Sequence, residues 1–364
     1  MSGISLRNLH VRFGRHELLR GIDLDVAAGE TLVLFGPSGA GKTVLLRAIA
    51  GLEPAARGHV GIDGADVTTR GPEARGVGMA FQNFALYPHM SARDNIASPL
   101  QARDVAAADI QARVDDVGKL LRIGHVLGHR PKELSNGQKQ RTALARALVG
   151  RPKVLLLDDP LRNVDAKLRY EMRLELPRLL RSVGAATIYV SQDYREAMAL
   201  GDRVAILLDG RIAQSGPPED IYDTPVSIAV AKLFGDPPIN LLPCRPGDPG
   251  GALPVLLAGR NLAARAGRDC LLGLRPETIA IHAEPQANAA RAEIRATTPL
   301  HERMVVLLRA ASGEELVASV LGALPPPGAP VWLTAEAGHA LLFDADTGAR
   351  HAVAPAPAAV AAWA

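Results

Sequence analysis

One run of eight residues, Gly36-Pro37-Ser38-Gly39-Ala40-Gly41-Lys42-Thr43, restricts the fold of this chain more than any other stretch. It fits the pattern G-x-x-x-x-G-K-[ST], and its flanks are those the pattern needs. Before it, Thr31-Leu32-Val33-Leu34-Phe35 is short, apolar and partly β-branched, which predicts a strand. After it, Val44-Leu45-Leu46-Arg47-Ala48-Ile49-Ala50 predicts the opening of a helix. A strand, a glycine-rich loop and a helix in that order distinguish a phosphate loop from a chance glycine turn. The glycines let backbone N–H groups approach phosphate oxygens, and the helix N-terminus adds its positive end. Lys42 supplies a point charge for the outer phosphates, and the Thr43 hydroxyl is placed for Mg²⁺. The chain is therefore expected to bind a nucleoside triphosphate.

Length and composition narrow the setting. A chain of 364 residues suggests two or three domains, and 48% hydrophobic residues suffice for packed cores. A net charge of +3 indicates neither a nucleic-acid surface nor an acidic tail, so no nucleic-acid partner is expected. The two cysteines, Cys244 and Cys270, form no metal or disulfide pattern, which fits a reducing compartment. Residues 1–7 lack the apolar region of a signal peptide, and no run of 18 uncharged apolar residues occurs. The expected location is cytoplasmic, with docking on a membrane partner left open.

Strand patterns run from Ile4 to Phe13 and from Gly21 to Val26, the second with clean alternation. Phe13 is a candidate for stacking on an adenine base or for packing at a sheet edge. His59 to Gly64 reads as a strand ending in an Asp-Gly turn, and Gly76 to Gln82 as a buried strand ending on an exposed Gln82. From Ser91 to Arg130 the pattern turns helical. Ser135-Asn136-Gly137-Gln138 then leads into a helix over Lys139–Val149, with Ser135 suited to cap it. Lys153 to Pro160 and Ala185 to Asp193 are apolar runs ending in polar groups, the form of central parallel strands. Their ends present Asp158, Asp159 and Gln192 where open α/β sheets bind ligands. Val204–Leu208 and Arg211–Ala213, joined by Asp209-Gly210, predict a hairpin. Composition shifts at Gly235 to Asn240, and short strands punctuated by Gly and Pro follow, such as Cys270–Leu274, Met304–Leu308 and Val331–Thr334. Pro325–Gly328 reads as a turn or linker, and Ala352–Ala364 as a frayed end. The expected division is an α/β domain over 1–235, with a helical subdomain at about 88–150, and an all-β barrel-like domain over 236–364.

The phosphate loop, Gln82, Leu134-Ser135-Asn136-Gly137-Gln138, Leu157-Asp158-Asp159-Pro160 and Gln192 occur in one order. Together they resemble an ABC-transporter ATPase. Phe81 to Met90 and Pro160 to Arg169 resemble the carbohydrate-uptake importer group, the maltose and glycerol-phosphate type. Gly273-Leu274-Arg275-Pro276-Glu277 and Leu342 to Gly348 resemble that group's C-terminal OB-fold regulatory domain.

The resemblance implies a P-loop ATPase fold whose cofactors are ATP and Mg²⁺. It implies a second ATPase subunit, the same or different, packed head to tail, two integral-membrane permease subunits, and indirectly a solute-binding protein. The location implied is the cytoplasmic face of the membrane. Gly36 to Thr43 and Val44 would hold nucleotide, and Thr43, Gln82 and Asp158 would serve the metal. Ser135, Asn136, Gly137, Gln138 and Asp165 would act across the dimer interface. Phe84, Leu86 and Tyr87 would line the groove that receives a permease helix, or else pack within the helical subdomain. A DNA-repair or chromosome ATPase of the same superfamily would carry a coiled-coil or zinc insertion before the signature, and no such heptads or cysteine pairs occur there.

Departures from the family gather on its catalytic positions. Asp159 stands where the family has a Glu that handles the attacking water, one methylene shorter. Gln192 stands where it has a His, and can donate to a phosphate oxygen without carrying charge. Val44 replaces a hydroxyl residue, Asn136 the first signature glycine, and Arg162 a small Ser. Because Asn tolerates left-handed backbone, position 136 is expected to keep a glycine-like geometry. The combination predicts near-normal Mg-ATP binding with reduced turnover.

Overall fold

The computed structural model describes residues 3–244, 269–287, 289–300, 302–335 and 339–351. In chain order, the first part holds β1 (Gly3–Phe13), β2 (His16–Ala27), β3 (Thr31–Phe35), α1 (Lys42–Ala50), β4 (Arg57–Ile62), β5 (Ala65–Asp66) and β6 (Val77–Ala80). Three helices follow, α2 (Ala92–Gln101), α3 (Ala107–Leu120) and α4 (Asn136–Leu148). Then come β7 (Val154–Asp158), α5 (Ala166–Val183), β8 (Ala186–Ser191), α6 (Tyr194–Leu200), β9 (Arg203–Leu208) and β10 (Arg211–Gly216).

Six strands form one sheet in the order β10-β9-β3-β8-β7-β6, parallel except for the hairpin strand β10. Every residue of β3, β7 and β8 is buried, as strands covered on both faces must be. A second, antiparallel sheet orders β2-β1-β4-β5. Leu19, Ile22 and Val60 of that sheet share one core with Leu34 of β3, Leu45 and Ile49 of α1, and Ile188 of β8. The two layers thus clamp α1 and the loop before it. Because β3, β8 and β7 lie side by side in register, Phe35 pairs with Ser191 and Asp158 with Val190. Their C-terminal ends therefore open at one level.

Three local expectations are corrected. The helix after the Ser135 turn begins at Asn136, not Lys139. Ser135 Oγ accepts the Gln138 N–H at 3.3 Å, and Gln138 Oε1 accepts the Ser135 N–H at 2.9 Å, so the cap pulls three further residues into the helix. Asn136 is thereby an ordinary first-turn residue, and left-handed backbone is not what it provides. The strand expected to end on Gln82 ends at Ala80, and Gln82 is half-buried rather than exposed.

The chain divides into two compact units, Met1–Glu219 and Asp220–Ala364. The composition shift at 235 falls later than this division, because α7 (Pro218–Asp223) and α8 (Ile228–Leu233) lead into the second unit. There the buried Arg275 guanidinium donates to the carbonyls of Ala231, Phe234 and Tyr222 and lies 4.0 Å from the Tyr222 ring centroid. The second unit continues with β11 (Asn240–Cys244), β12 (Cys270–Leu274), β13 (Ile279–His282), β14 (Ala290–Leu300), β15 (Arg303–Ala310), β16 (Glu315–Leu321), β17 (Pro330–Ala335) and β18 (Leu341–Asp344). They form antiparallel sheets in the orders β11-β12-β18 and β13-β17-β14-β15-β16. Leu272, Ile294, Val306, Leu308, Val331 and Leu333 fill their core. Cys244 and Cys270 stand opposite each other in the β11–β12 register, which their spacing does not reveal. Pro325–Gly328 falls in the turn between β16 and β17, where the Gly328 N–H donates to Ile294 O at 2.8 Å. The Ala/Pro-rich end from 352 lies outside the described residues. Among the described residues no helix is long and apolar enough to cross a membrane.

Candidate functional site

The loop from Gly36 to Gly41 needs its glycines for separate reasons. At Gly36 (φ 155°) a Cβ would stand 2.3 Å from the Leu207 carbonyl oxygen, so only glycine lets the loop leave β3 alongside β9. Gly39 and Gly41 have φ of 83° and 101°, a region that L side chains rarely enter. Pro37, Ser38 and Gly39 are exposed, and nothing stands within 4 Å of a Cβ built on Gly39, which leaves the loop's crest open to a ligand. At the start of α1, Gly41 offers no side-chain cap, so the first-turn N–H groups face that opening without a side-chain acceptor at the cap. That combination suits an anion. Ala40 and Val44 pack partly against the core, so the Val44 side chain is turned to packing.

Lys42 lies in the same opening, only 5% exposed. Its Nζ donates to the carbonyls of Gly36 and Pro37, both at 2.7 Å, which holds the ammonium inside the curl of the loop. Burial pushes its pKa down, and the nearby carboxylates of Asp159 and Asp158 push back. Thr43 Oγ1 donates to Asp158 Oδ1 at 3.0 Å, joining the loop to the end of β7. Burial raises the Asp158 pKa, opposed by the Thr43 bond. A hydroxyl and a carboxylate make a hard oxygen pair suited to Mg²⁺. Among the described residues no group of three His, Cys, Asp or Glu side chains converges.

Asp159 follows with left-handed backbone (φ 46°), its N–H donating to Val190 O at 3.1 Å. Its carboxyl is buried, which raises its pKa, and the Arg162 guanidinium is the largest opposing influence. Gln192, at the end of β8, is exposed. Beneath it lies a buried polar cluster that the sequence reading does not single out. Ser191 Oγ and Tyr189 Oη both donate to Glu196 Oε2, at 2.8 and 3.0 Å, and burial raises the Glu196 pKa. This cluster anchors the strand end from which Gln192 projects. A Tyr and a Ser two apart on a strand, with a Glu on the next helix, were its only sequence signal.

The remaining candidates stand around this centre. Asn163 Nδ2 donates to Gln82 O at 3.0 Å, tying the loop after Asp159 to the loop after β6. Asp165 precedes α5, and its carbonyl accepts the Arg169 N–H at 2.9 Å. Phe13 is exposed at the tip of the β1–β2 hairpin, opposite His16. Ser135 to Gln138 bond to one another across their cap, and among the described residues no hydrogen bond joins them to the phosphate loop. Phe84 and Ala85 have left-handed backbone (φ 63° and 47°), and their carbonyls accept Arg146 Nη2 and Nη1 at 3.0 and 2.7 Å. This turn shapes a groove of about 690 Å³ lined by Phe81, Ala85, Tyr87, Ser98, Arg146 and others. Tyr87 is among the residues lining this cavity, and Phe84 and Leu86 are not among them. The buried amide of Asn95 holds the same segment, accepting the Tyr87 N–H at 2.7 Å and donating to Tyr87 O, Met90 O and Ser91 O.

Known proteins are similar to this chain in sequence and fold. Residues 19–162 match the ABC transporter family, and residues 272–343 match the TOBE domain. The sn-glycerol-3-phosphate import ATP-binding protein of Cereibacter sphaeroides is 42% identical, over 96% of this chain and all of its own length. That of Salmonella typhimurium is 39% identical, again over 96% of this chain and all of its own length. Among solved structures, a dimeric post-hydrolysis state of the ATP-binding cassette MJ0796 bound to ADP and Pi is 28% identical. It covers 59% of this chain and 98% of its own, with a TM-score of 0.54.

Proposed function

The chain belongs to the ABC-transporter ATP-binding family, and from that premise we propose that it is the ATPase subunit of an importer for a sugar, polyol or glycerol-phosphate type solute. The observation that carries this reading is the 3.0 Å Thr43–Asp158 bond at the mouth of a loop whose cradle is open. It joins the two oxygen groups that a magnesium nucleotide needs. The substrate class follows the names of relatives that align over nearly the whole chain.

In this reading the N–H groups of Gly36 to Thr43 bind phosphate oxygens, with Val44 contributing its backbone, and Lys42 turns one donor to the terminal phosphates. Phe13 stacks on the base. Thr43, Asp158 and Gln82 would serve to hold Mg²⁺, which when bound would supply charge to offset the phosphates. Asp159 accepts a proton from the attacking water, and Gln192 donates to the terminal phosphate. Ser135, Asn136, Gly137 and Gln138 close the nucleotide of a second ATPase subunit, and Asp165 crosses the same interface. The groove at Tyr87 and Arg146 takes a helix of one of two permease subunits at the cytoplasmic face of the membrane, with a solute-binding protein acting on them. The two domains of this reading are 1–235 and 236–364.

Binding and turnover separate in this chain, because its binding parts are intact and its water-handling parts are altered. Titration calorimetry with Mg-ATP, alongside phosphate release from the same protein, tests this. Micromolar binding with slow release is expected, and weak binding would overturn the split. A second reading, the slowly hydrolysing half of a heterodimer, is favoured by Asp159 and Gln192 falling in one half-site. Robust turnover by the chain alone would exclude it.

A further inference from the structure

The segment from Asp159 to Asp165 is held more tightly than a surface turn. The Arg162 N–H donates to Asp159 O at 3.3 Å, and the Val164 N–H to Leu161 O at 3.3 Å. Arg169 Nη2 donates to the carbonyls of both Arg162 and Val164, at 3.3 and 3.0 Å. Asn163 is tied to Gln82 O at 3.0 Å. The backbone at Asp159 is fixed as well, by its N–H bond to Val190 O. With both backbones fixed, the orientation of the Asp159 carboxylate depends on its side-chain partners. Arg162 is the nearest cation, with Nη1 3.8 Å from Asp159 Oδ2. The carboxylate side chain is 8% exposed and the guanidinium side chain 50% exposed, so the cation covers the acid from the solvent side.

We propose that Arg162 is a positioning residue of this site, which restrains the Asp159 carboxylate and so limits turnover. Resting on the ATPase reading above, the proposal adds a cause of slow turnover separate from the missing methylene. An Asp already falls short of where a Glu would reach. Pairing Oδ2 with the guanidinium three residues on restrains it from turning to make up that reach, and hydrogen-bond reach is needed for proton transfer. At this position a small residue would leave the acid free to turn. Arg162 acts through Asp159 rather than on the nucleotide, so its effect falls on the chemical step.

The test compares the full-length chain with Arg162→Ser, Arg162→Lys, Asp159→Asn and the Arg162→Ser/Asp159→Asn pair. Mg-ATP affinity is measured by calorimetry and steady-state phosphate release at saturating ATP. Arg162→Ser should raise kcat on the order of tenfold with KM within about threefold, a gain that damage to the fold cannot produce. Arg162→Lys keeps a cation in place and should stay near the unsubstituted rate. In the Asp159→Asn background, Arg162→Ser should bring no gain. An unchanged or lower kcat in Arg162→Ser would overturn the proposal, as would a gain that survives without the Asp159 carboxylate or appears equally in Arg162→Lys. Failure of the unsubstituted chain to bind Mg-ATP would instead sink the ATPase reading and this proposal with it. Binding without a gain sinks the proposal alone.

Discussion

At the residue scale, the proposed function makes the acid at 159 and its neighbours the place to look for control of turnover. Asp159→Glu with Gln192→His restores reach and a protonatable donor, and should raise steady-state phosphate release on the order of tenfold or more. No gain in that assay would show that these two positions do not limit the rate. A structural counterpart is Asn95, buried in α2 with its amide bonded to the segment that shapes the groove. Asn95→Ala removes the amide's bonds to the Tyr87 N–H and to three carbonyls and should cost about 2–4 kcal/mol in denaturant unfolding. The phosphate-loop residues were legible in the sequence because their chemistry demands neighbours in the chain. Asn95 was not, because a lone Asn on a helix reads as a solvated position until the fold brings Tyr87 against it. The Arg162–Asp159 contact was hidden for a related reason. Spacing of three inside a loop has no fixed geometry, and it becomes a contact here through the turn's own backbone bonds together with those from Arg169 and Asn163.

At the element scale, caps and turns set where secondary structure starts. Ser135→Ala removes one half of the capping box and should destabilise α4 by about 1 kcal/mol, visible as a lower denaturant midpoint with an unchanged slope. The sequence placed a cap at Ser135 but started the helix too late, because Asn136 and Gly137 are poor helix formers that the reciprocal Ser135–Gln138 bonds carry into the first turn. At the end of β5, Asp66 accepts the Thr68 hydroxyl and N–H and pairs with His59. These bonds, the Thr68 hydroxyl foremost, lower its pKa from 3.8 to about 2. The folded state therefore binds this proton less readily than the unfolded chain. The stabilisation is complete above the unfolded value and is lost as pH falls through the folded one. Asp66→Asn should flatten the acid limb of the stability profile between about pH 4 and pH 2. An unchanged limb would assign that limb to other groups.

At the scale of the whole molecule, two units with separate cores predict melting that is not one two-state transition. Arg275→Ala removes its bonds to three carbonyls and the cation from the Tyr222 ring, so it should destabilise that unit by about 3 kcal/mol, lowering the midpoint of one calorimetric transition and leaving the other in place. A joint shift of both would show that the units melt together. The order of motifs made the α/β unit and its all-β successor readable. The point of division was less so, because α7 and α8 carry ordinary helical patterns and what ties their segment to the second unit is long-range: the Arg275 bonds, the Ser227–Ala349 bridge, and the packing of Ala231 and Ile228 on Leu341 and Phe343. One small bond of the first unit has a larger thermodynamic meaning. Asn163 Nδ2 on Gln82 O makes the turn that bears Asp159 and the turn that leads to the Tyr87 groove share an atom pair. If occupancy of that groove strains or relaxes the bond, linkage makes the effect run equally in both directions. Whatever factor a docked helix adds to nucleotide affinity, the nucleotide returns to the docked helix.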